Sequence, residues 1–157
     1  MIVFRITCAI LMAWAINWSL ARAEAAELLK VLPEMAVLGP IAGGIVGYLN
    51  LAVRQGWGFI VAFANGVWAG VLSILLSGVL YLIVALVQAI RTNVVRTFDN
   101  FLNVFGSLVQ PLLELVANIP LLTVSLGAAA LVGVISEVIH WVLVRMKSRK
   151  GGQRTSG

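Results

Sequence analysis

The sequence predicts an all-α membrane protein, a four-helix transmembrane bundle with an additional amphipathic interfacial helix between the third and fourth spans. Three observations carry that expectation. Residues 55–90 are 36 consecutive positions without Asp, Glu, Lys, Arg or His, whereas about 20 apolar helical residues already cross a hydrocarbon core about 30 Å thick. Three further charge-free runs, 6–21, 35–53 and 115–136, hold 16, 19 and 22 residues, so the four together take up 93 of 157. The hydrophobic share is 61% and the mean hydropathy +1.04, which leaves no stretch for a separate soluble domain. Residues 1–157 therefore read as one integral membrane unit, whose backbone polar groups must be satisfied inside helices. The expected spans are 4–22, 35–53, 57–90 and 119–144, with an amphipathic segment at 93–117 and a basic tail at 145–157.

In lipid, burying apolar side chains no longer drives association, so helices attract through close backbone approach and interhelical hydrogen bonds. Each expected span carries one smooth face suited to that. The first offers Ala9, Ala13 and Asn17. It also has a competing reading: Arg5, an apolar stretch and then Ala21-Arg22-Ala23 resemble a secretory signal cut after Ala23. The second span places Gly39, Gly43 and Gly47 four residues apart, with Pro40 near the expected start, where a missing N–H costs least. The third aligns Ala62, Gly66, Gly70, Ser73 and Ser77. The fourth aligns Ser125, Ala129 and Gly133, and the next step of that stripe is Glu137. These faces suit either packing within one bundle or a dimer or larger partner joined through one small-residue face.

Between the third and fourth spans the periodicity changes. Val94, Phe98, Phe101, Leu102, Phe105, Leu108, Val109, Leu112, Leu113 and Val116 recur in steps of three and four. Asn100, Asn103, Ser107, Gln110 and Glu114 hold the opposite face. That polar face is close to neutral, unlike a basic lipid-binding helix. The segment is expected at the outer interface or folded back over the bundle, bent at Pro111. As a fifth span it would carry Asn, Gln and Glu across hydrocarbon.

Orientation follows the basic residues. Arg145, Lys147, Arg149, Lys150 and Arg154 form a tail without acidic residues, expected in the cytoplasm. Counting back through four spans puts the amino terminus and the Arg54 turn on the same side. Basic residues then divide seven inside (Arg5, Arg54 and the tail) against four outside (Arg22, Lys30, Arg91 and Arg96). Trp57 and Trp141 fall at the inner boundary and Trp14 and Trp18 near the outer one, as interfacial anchors. The lipid bilayer is the expected partner, with anionic lipid drawn to the tail. Nucleic acid is not, because the tail lacks interleaved aromatic residues.

Ionisable and amide groups within the spans are the candidates for a site, since they are costly in hydrocarbon. Glu137 and His140 are three residues apart and share a helix face. Measured from Arg145 and Trp57, Glu137 and Asn65 come at similar depths, and Asn50 and Arg54 end the second span on that side. One layer of Asn50, Arg54, Asn65, Glu137 and His140 is expected, either as interhelical glue with Arg54 or His140 neutralising Glu137, or as an ion- or proton-handling site.

No cofactor is expected. Cys8 is the only cysteine and His140 the only histidine, so one subunit provides no disulfide, redox thiol pair or multi-histidine metal centre. Phosphate-loop and dinucleotide glycine patterns are missing, and residues 127–133 read as a small-residue helix stripe. No nucleophile, acid and base converge, so a non-enzymatic protein is expected.

Several local features carry a family resemblance. They are the glycine-rich second helix ending Gly47-Tyr48, the turn Arg54-Gln55-Gly56-Trp57, Asn65-Gly66, the connection Arg96-Thr97-Phe98-Asp99, and the close of the last helix from Gly133 to Glu137 with Trp141 beyond. In this order, over residues 33–141, the chain resembles the TrgA-type family of small alphaproteobacterial membrane proteins associated with tellurite resistance. The connection at 96–99 departs from that family's pattern, which more often has Tyr before the Asp and a proline soon after. The resemblance implies a four-helix inner-membrane protein linked to tellurite tolerance, and no mechanism for it. Two other classes stand beside it: an accessory or assembly subunit of a respiratory or photosynthetic membrane complex, and a small oligomeric channel or transporter.

Overall fold

The computed structural model describes residues 2–22, 32–53, 56–92 and 98–152. They form α1 (Ile2–Leu20), α2 (Met35–Leu49), a single 3-10 turn (Leu51–Val53), α3 (Phe59–Arg91), α4 (Phe98–Ala117) and α5 (Ile119–Gly152). There is no strand among the described residues, and all five helices are long and apolar enough to cross a membrane. The protein is thus all-α with the composition of a membrane protein, as the charge-free runs predict.

Two glycine seams organise it. Along the first, α1 and α2 run antiparallel with their backbones almost touching. A Cβ built on Gly47 would lie 2.6 Å from the Cys8 carbonyl oxygen, and one on Gly43 3.1 Å from that of Met12. One on Gly39 would lie 2.7 Å from the end of the Leu20 side chain. Along the second, α3 and α5 are again antiparallel. A Cβ on Gly66 would lie 2.5 Å from the Ala129 carbonyl oxygen and one on Gly70 2.8 Å from the Ala129 Cβ, while one on Gly133 would overlap the Ala62 carbonyl. At Gly43, Gly47, Gly66 and Gly133 the close neighbour is backbone, so only hydrogen at the Cα permits the approach, which is how lipid-embedded helices gain van der Waals contact. All six glycines read as packing positions line these seams.

The two pairs join through a shared core. Cys8, Met12, Ala15, Ala69, Ala129 and Val132 are all buried within it, and it draws on α1, α2, α3 and α5 together. Ser136 of α5 sits beside Cys8 of α1, and His140 beside Phe4, so α1 and α5 are also antiparallel. Five buried serines (Ser19, Ser73, Ser77, Ser125 and Ser136) each donate to the carbonyl four residues back, at 2.6–2.8 Å. Every one of those hydroxyls is satisfied within its own helix, so a polar side chain packs in a seam at little cost.

Element boundaries differ from the sequence expectation chiefly at carboxyl ends: α2 stops at Leu49, short of residue 53, with Leu51–Val53 forming the 3-10 turn. α2 starts at Met35, with backbone bonds from Met35 to Leu32 and from Ala36 to Pro33, so Pro33 precedes the start and Pro40 falls in the second turn. There its missing N–H leaves the Ala36 carbonyl without an intrahelical partner. α5 also does not stop near residue 144 but runs on to Gly152, through much of the basic tail. Lys and Arg are good helix formers and suit a helix carboxyl terminus, so charge alone ends nothing.

The helices are unequal in reach. Leu20, Gly39, Ser77 and Leu121 line one apolar cavity and therefore lie at one level. α3 runs on to Arg91, 14 residues or about 21 Å past that level. Beside this extension Leu112 and Leu115 of α4, with Ala85, pack against a small cluster of Tyr81, Leu32 and Met35. α4 runs through Pro111 and has no buried residue over Asn100–Ala117.

Candidate intramembrane polar site at the turn between α2 and α3

The turn after α2 is built on two glycines. Gly56 and Gly58 have φ of +97° and +96°, a region that side chains strongly disfavour. Gly58 is also the N-cap of α3, its carbonyl accepting from the Ala62 N–H at 2.9 Å. With both residues folded this way, their N–H groups converge on one side chain of a distant helix. The Gly56 N–H donates to Glu137 Oε2 at 2.8 Å and the Gly58 N–H to Oε1 at 3.2 Å.

Glu137 is only 7% exposed, so a charge there requires compensation. The structure supplies it in two forms. Two backbone amides hydrogen-bond the two oxygens, and the carboxylate sits at the amino-terminal end of α3, a 33-residue helix whose dipole is positive there. Glu137 thus acts as an N-terminal cap delivered from another helix. It ties the start of α3 to the middle of α5 at the end of the glycine seam.

Of the other expected site residues, His140 joins Glu137 at the turn. His140, half-buried, follows on the same face of α5. Its Nε2 lies 3.3 Å from where a Gly56 Cβ would be, and its ring meets Phe4 edge-on at 5.7 Å. His140 therefore covers the turn that Glu137 holds. Asn50 closes α2, its N–H donating to the Val46 carbonyl at 2.8 Å. Asn65 is set by the α3–α5 register. Its neighbour Gly66 packs on Ala129 and Ala130, so Asn65 lies seven residues or about 10 Å along α3 from Gly58. The single depth expected for Asn65 and Glu137 separates into two levels, because Glu137 pairs with the turn itself. Arg54 lies outside the described residues.

The partners of Glu137 were not legible as a motif. Backbone amides have no letter, and the available signal was the pair of glycines flanking Trp57 at the mouth of a long apolar run. Cys8 is fully buried, its thiol donating to Ser136 Oγ at 3.6 Å. No group of three or more His, Cys, Asp or Glu residues capable of holding a metal ion occurs among the described residues.

At both ends of the bundle an arginine lies over an aromatic ring. Arg5 covers Tyr48 at 5.7 Å and Arg145 covers Trp141 at 4.8 Å at the turn end, while Arg22 covers Trp18 at 4.0 Å at the opposite end. Amphipathic rings and snorkelling cations mark membrane boundaries. Arg5 and Arg22 are 17 residues or about 26 Å apart along α1, close to a hydrocarbon thickness. No family model matches this chain, and no curated protein or solved structure matches it either.

Proposed function

We propose that this chain is a non-enzymatic, four-span protein of the bacterial inner membrane, with its carboxyl terminus in the cytoplasm and α4 at the outer interface. Its resemblance to a family associated with tellurite resistance gives the process, tolerance of that oxyanion. The observation that carries the non-enzymatic reading is the full engagement of Glu137, the buried acid, by the Gly56 and Gly58 amides. A carboxylate with both oxygens committed to a helix start stabilises a fold and is poorly placed to shuttle protons. Cys8, which tellurite reduction would call on, is enclosed between α1 and α5. The buried seam serines bond their own helices, which argues against a polar conduit through one copy.

The four-span reading rests on the antiparallel run of α3 and α5, which needs α4 to leave and rejoin the same side. The test is tellurite tolerance and uptake in a deletion strain complemented with the wild type, Glu137→Gln or Cys8→Ala. Complementation by all three at equal protein level is the expected result. Loss of tolerance with Cys8→Ala at normal abundance contradicts it.

One observation favours a second reading, an accessory subunit of a larger membrane complex. The α3 extension leaves Val79, Ile83 and Val87 exposed, and α4 leaves Leu102, Leu113 and Val116 exposed. Purification in mild detergent with mass determination separates the two, since a stoichiometric partner decides for the subunit.

A further inference from the structure

On α2 a shallow apolar groove runs from Pro40 to Tyr48, lined by Pro40, Ile41, Gly44, Ile45, Tyr48 and Leu49. Pro40 and Tyr48 are eight residues or about 12 Å apart along the helix. Gly44 sets the groove's depth and differs from the seam glycines. A Cβ there would meet Ala13 and Ala9 only at 3.8 Å, so nothing in the fold demands glycine. Ile41, Ile45 and Leu49 are 47%, 41% and 62% exposed and form a wall that hydrocarbon covers in a bilayer.

The groove ends at a cation. Arg5, half-buried near the start of α1, holds its guanidinium 5.7 Å from the centre of the Tyr48 ring. Among the described residues no carboxylate pairs with it. It lies at the same end of the bundle as the Glu137 turn and the basic end of α5, and there a span meets headgroups. Apolar wall below and fixed cation above match a lipid with one negative headgroup. A second copy of the same chain would instead bring two Arg5 guanidinium groups to one surface.

We propose that the α2 groove and Arg5 form a binding site for one anionic phospholipid, its acyl chain along Gly44 and its phosphate at the guanidinium. This goes beyond the proposed function and does not depend on Glu137. Arginine suits the role because its fork of N–H donors pairs phosphate oxygens while its plane remains on the tyrosine ring.

The experiment is native mass spectrometry of the full chain in mild detergent, titrated with phosphatidylglycerol or with phosphatidylcholine of the same acyl chains. One phosphatidylglycerol per chain is expected as a preferred first adduct, ahead of phosphatidylcholine. Arg5→Gln is expected to weaken phosphatidylglycerol retention about fivefold, the equivalent of about 1 kcal/mol for one basic group at a membrane surface. Gly44→Leu, which fills the groove in a place with room for a side chain, is expected to weaken both lipids. Gly127→Leu, at a glycine with no atom within 4 Å of an added Cβ, is expected to weaken neither. Equal retention by Arg5→Gln and wild type overturns the proposal, as does a graded series of adducts without a preferred first one. A dimer mass dispersed by Gly44→Leu also overturns it, in favour of a second copy. If Gly44→Leu fails to fold, the headgroup preference and Arg5→Gln decide alone.

Discussion

At one end of the bundle, around the turn between α2 and α3, every feature is tied to another. Glu137 holds the Gly56 and Gly58 amides, His140 covers Gly56, and Gly133 meets the Ala62 carbonyl one turn further along. At the other end α3 runs about 21 Å beyond the cavity level, with Tyr81 buried beside Leu32 and Met35. It is accompanied by α4, which buries no residue over Asn100–Ala117 and packs through large side chains such as Leu112 and Leu115. The first region is held by backbone contacts and charge-assisted hydrogen bonds, which demand one geometry. The second is held by apolar side chains, which accept many.

The largest expected effect breaks the tight region at its closest approach. Gly133→Val places two methyl groups against the Ala62 carbonyl, and neither backbone yields cheaply. It should cost about 3 kcal/mol or more in a detergent unfolding titration, at the upper end of overpacking penalties. Gly106→Val in α4, where an added Cβ meets nothing within 4 Å, serves as the counterpart. It should leave stability unchanged or raise it by about a few tenths of a kcal/mol, because valine is the better helix former of the two and meets no neighbour. Equal losses at both sites would remove the contrast.

Next comes the cap. Glu137→Ala leaves the Gly56 and Gly58 amides without their acceptor, and because both glycines are exposed and can turn to water, about 0.5–1.5 kcal/mol is expected for each bond. Glu137→Gln keeps an acceptor oxygen and a similar shape, and should lose less than the alanine variant. An alanine variant as stable as wild type would mean that the turn is not fastened to α5. Smaller again is Gly58→Ala, which meets no neighbour and suffers only from its φ of +96°. A loss of about 1–2 kcal/mol is expected from that conformation.

The smallest effect lies in the loose region. Leu113→Gln on the 63% exposed side of α4 should leave unfolding of the bundle unchanged within about 0.5 kcal/mol. A large loss would show that α4 is an integral wall of the bundle. Thiol access sharpens the same contrast without a stability scale. Cys8 is fully buried and should resist a maleimide in the folded protein and react once denatured.

How far the letters of the sequence reach follows the same division. The four-residue spacing of Gly39, Gly43 and Gly47, and the stripe from Ser125 to Gly133, identify the seam faces because close approach admits only small residues. What they do not identify is which face meets which, and the pairing of α1 with α2 and α3 with α5 came from the structure. Glu137 stood out because a carboxylate in an apolar run is expensive, yet its partners are peptide N–H groups that no residue type announces. The depth of Asn65 depended on helix register, which the positions of flanking charges fix only loosely. Pro40, expected near the start of the second span, falls in its second turn, five residues after Met35. For α4, amphipathicity gave the helix and its faces, while an exposed apolar stripe fits a membrane interface and a protein partner equally.

The span count is the claim on which orientation and topology rest, and one labelling comparison reads it directly. In a Cys8→Ala background, Trp57→Cys at the turn and Lys147→Cys near the end of α5 are each exposed to a membrane-impermeant maleimide, in intact cells and in inverted membrane vesicles. Labelling of both sites only in inverted vesicles is expected, since α3 and α5 then form two spans with α4 remaining on the far side. Labelling of the two sites from opposite faces would make α4 a fifth crossing and contradict the four-span bundle.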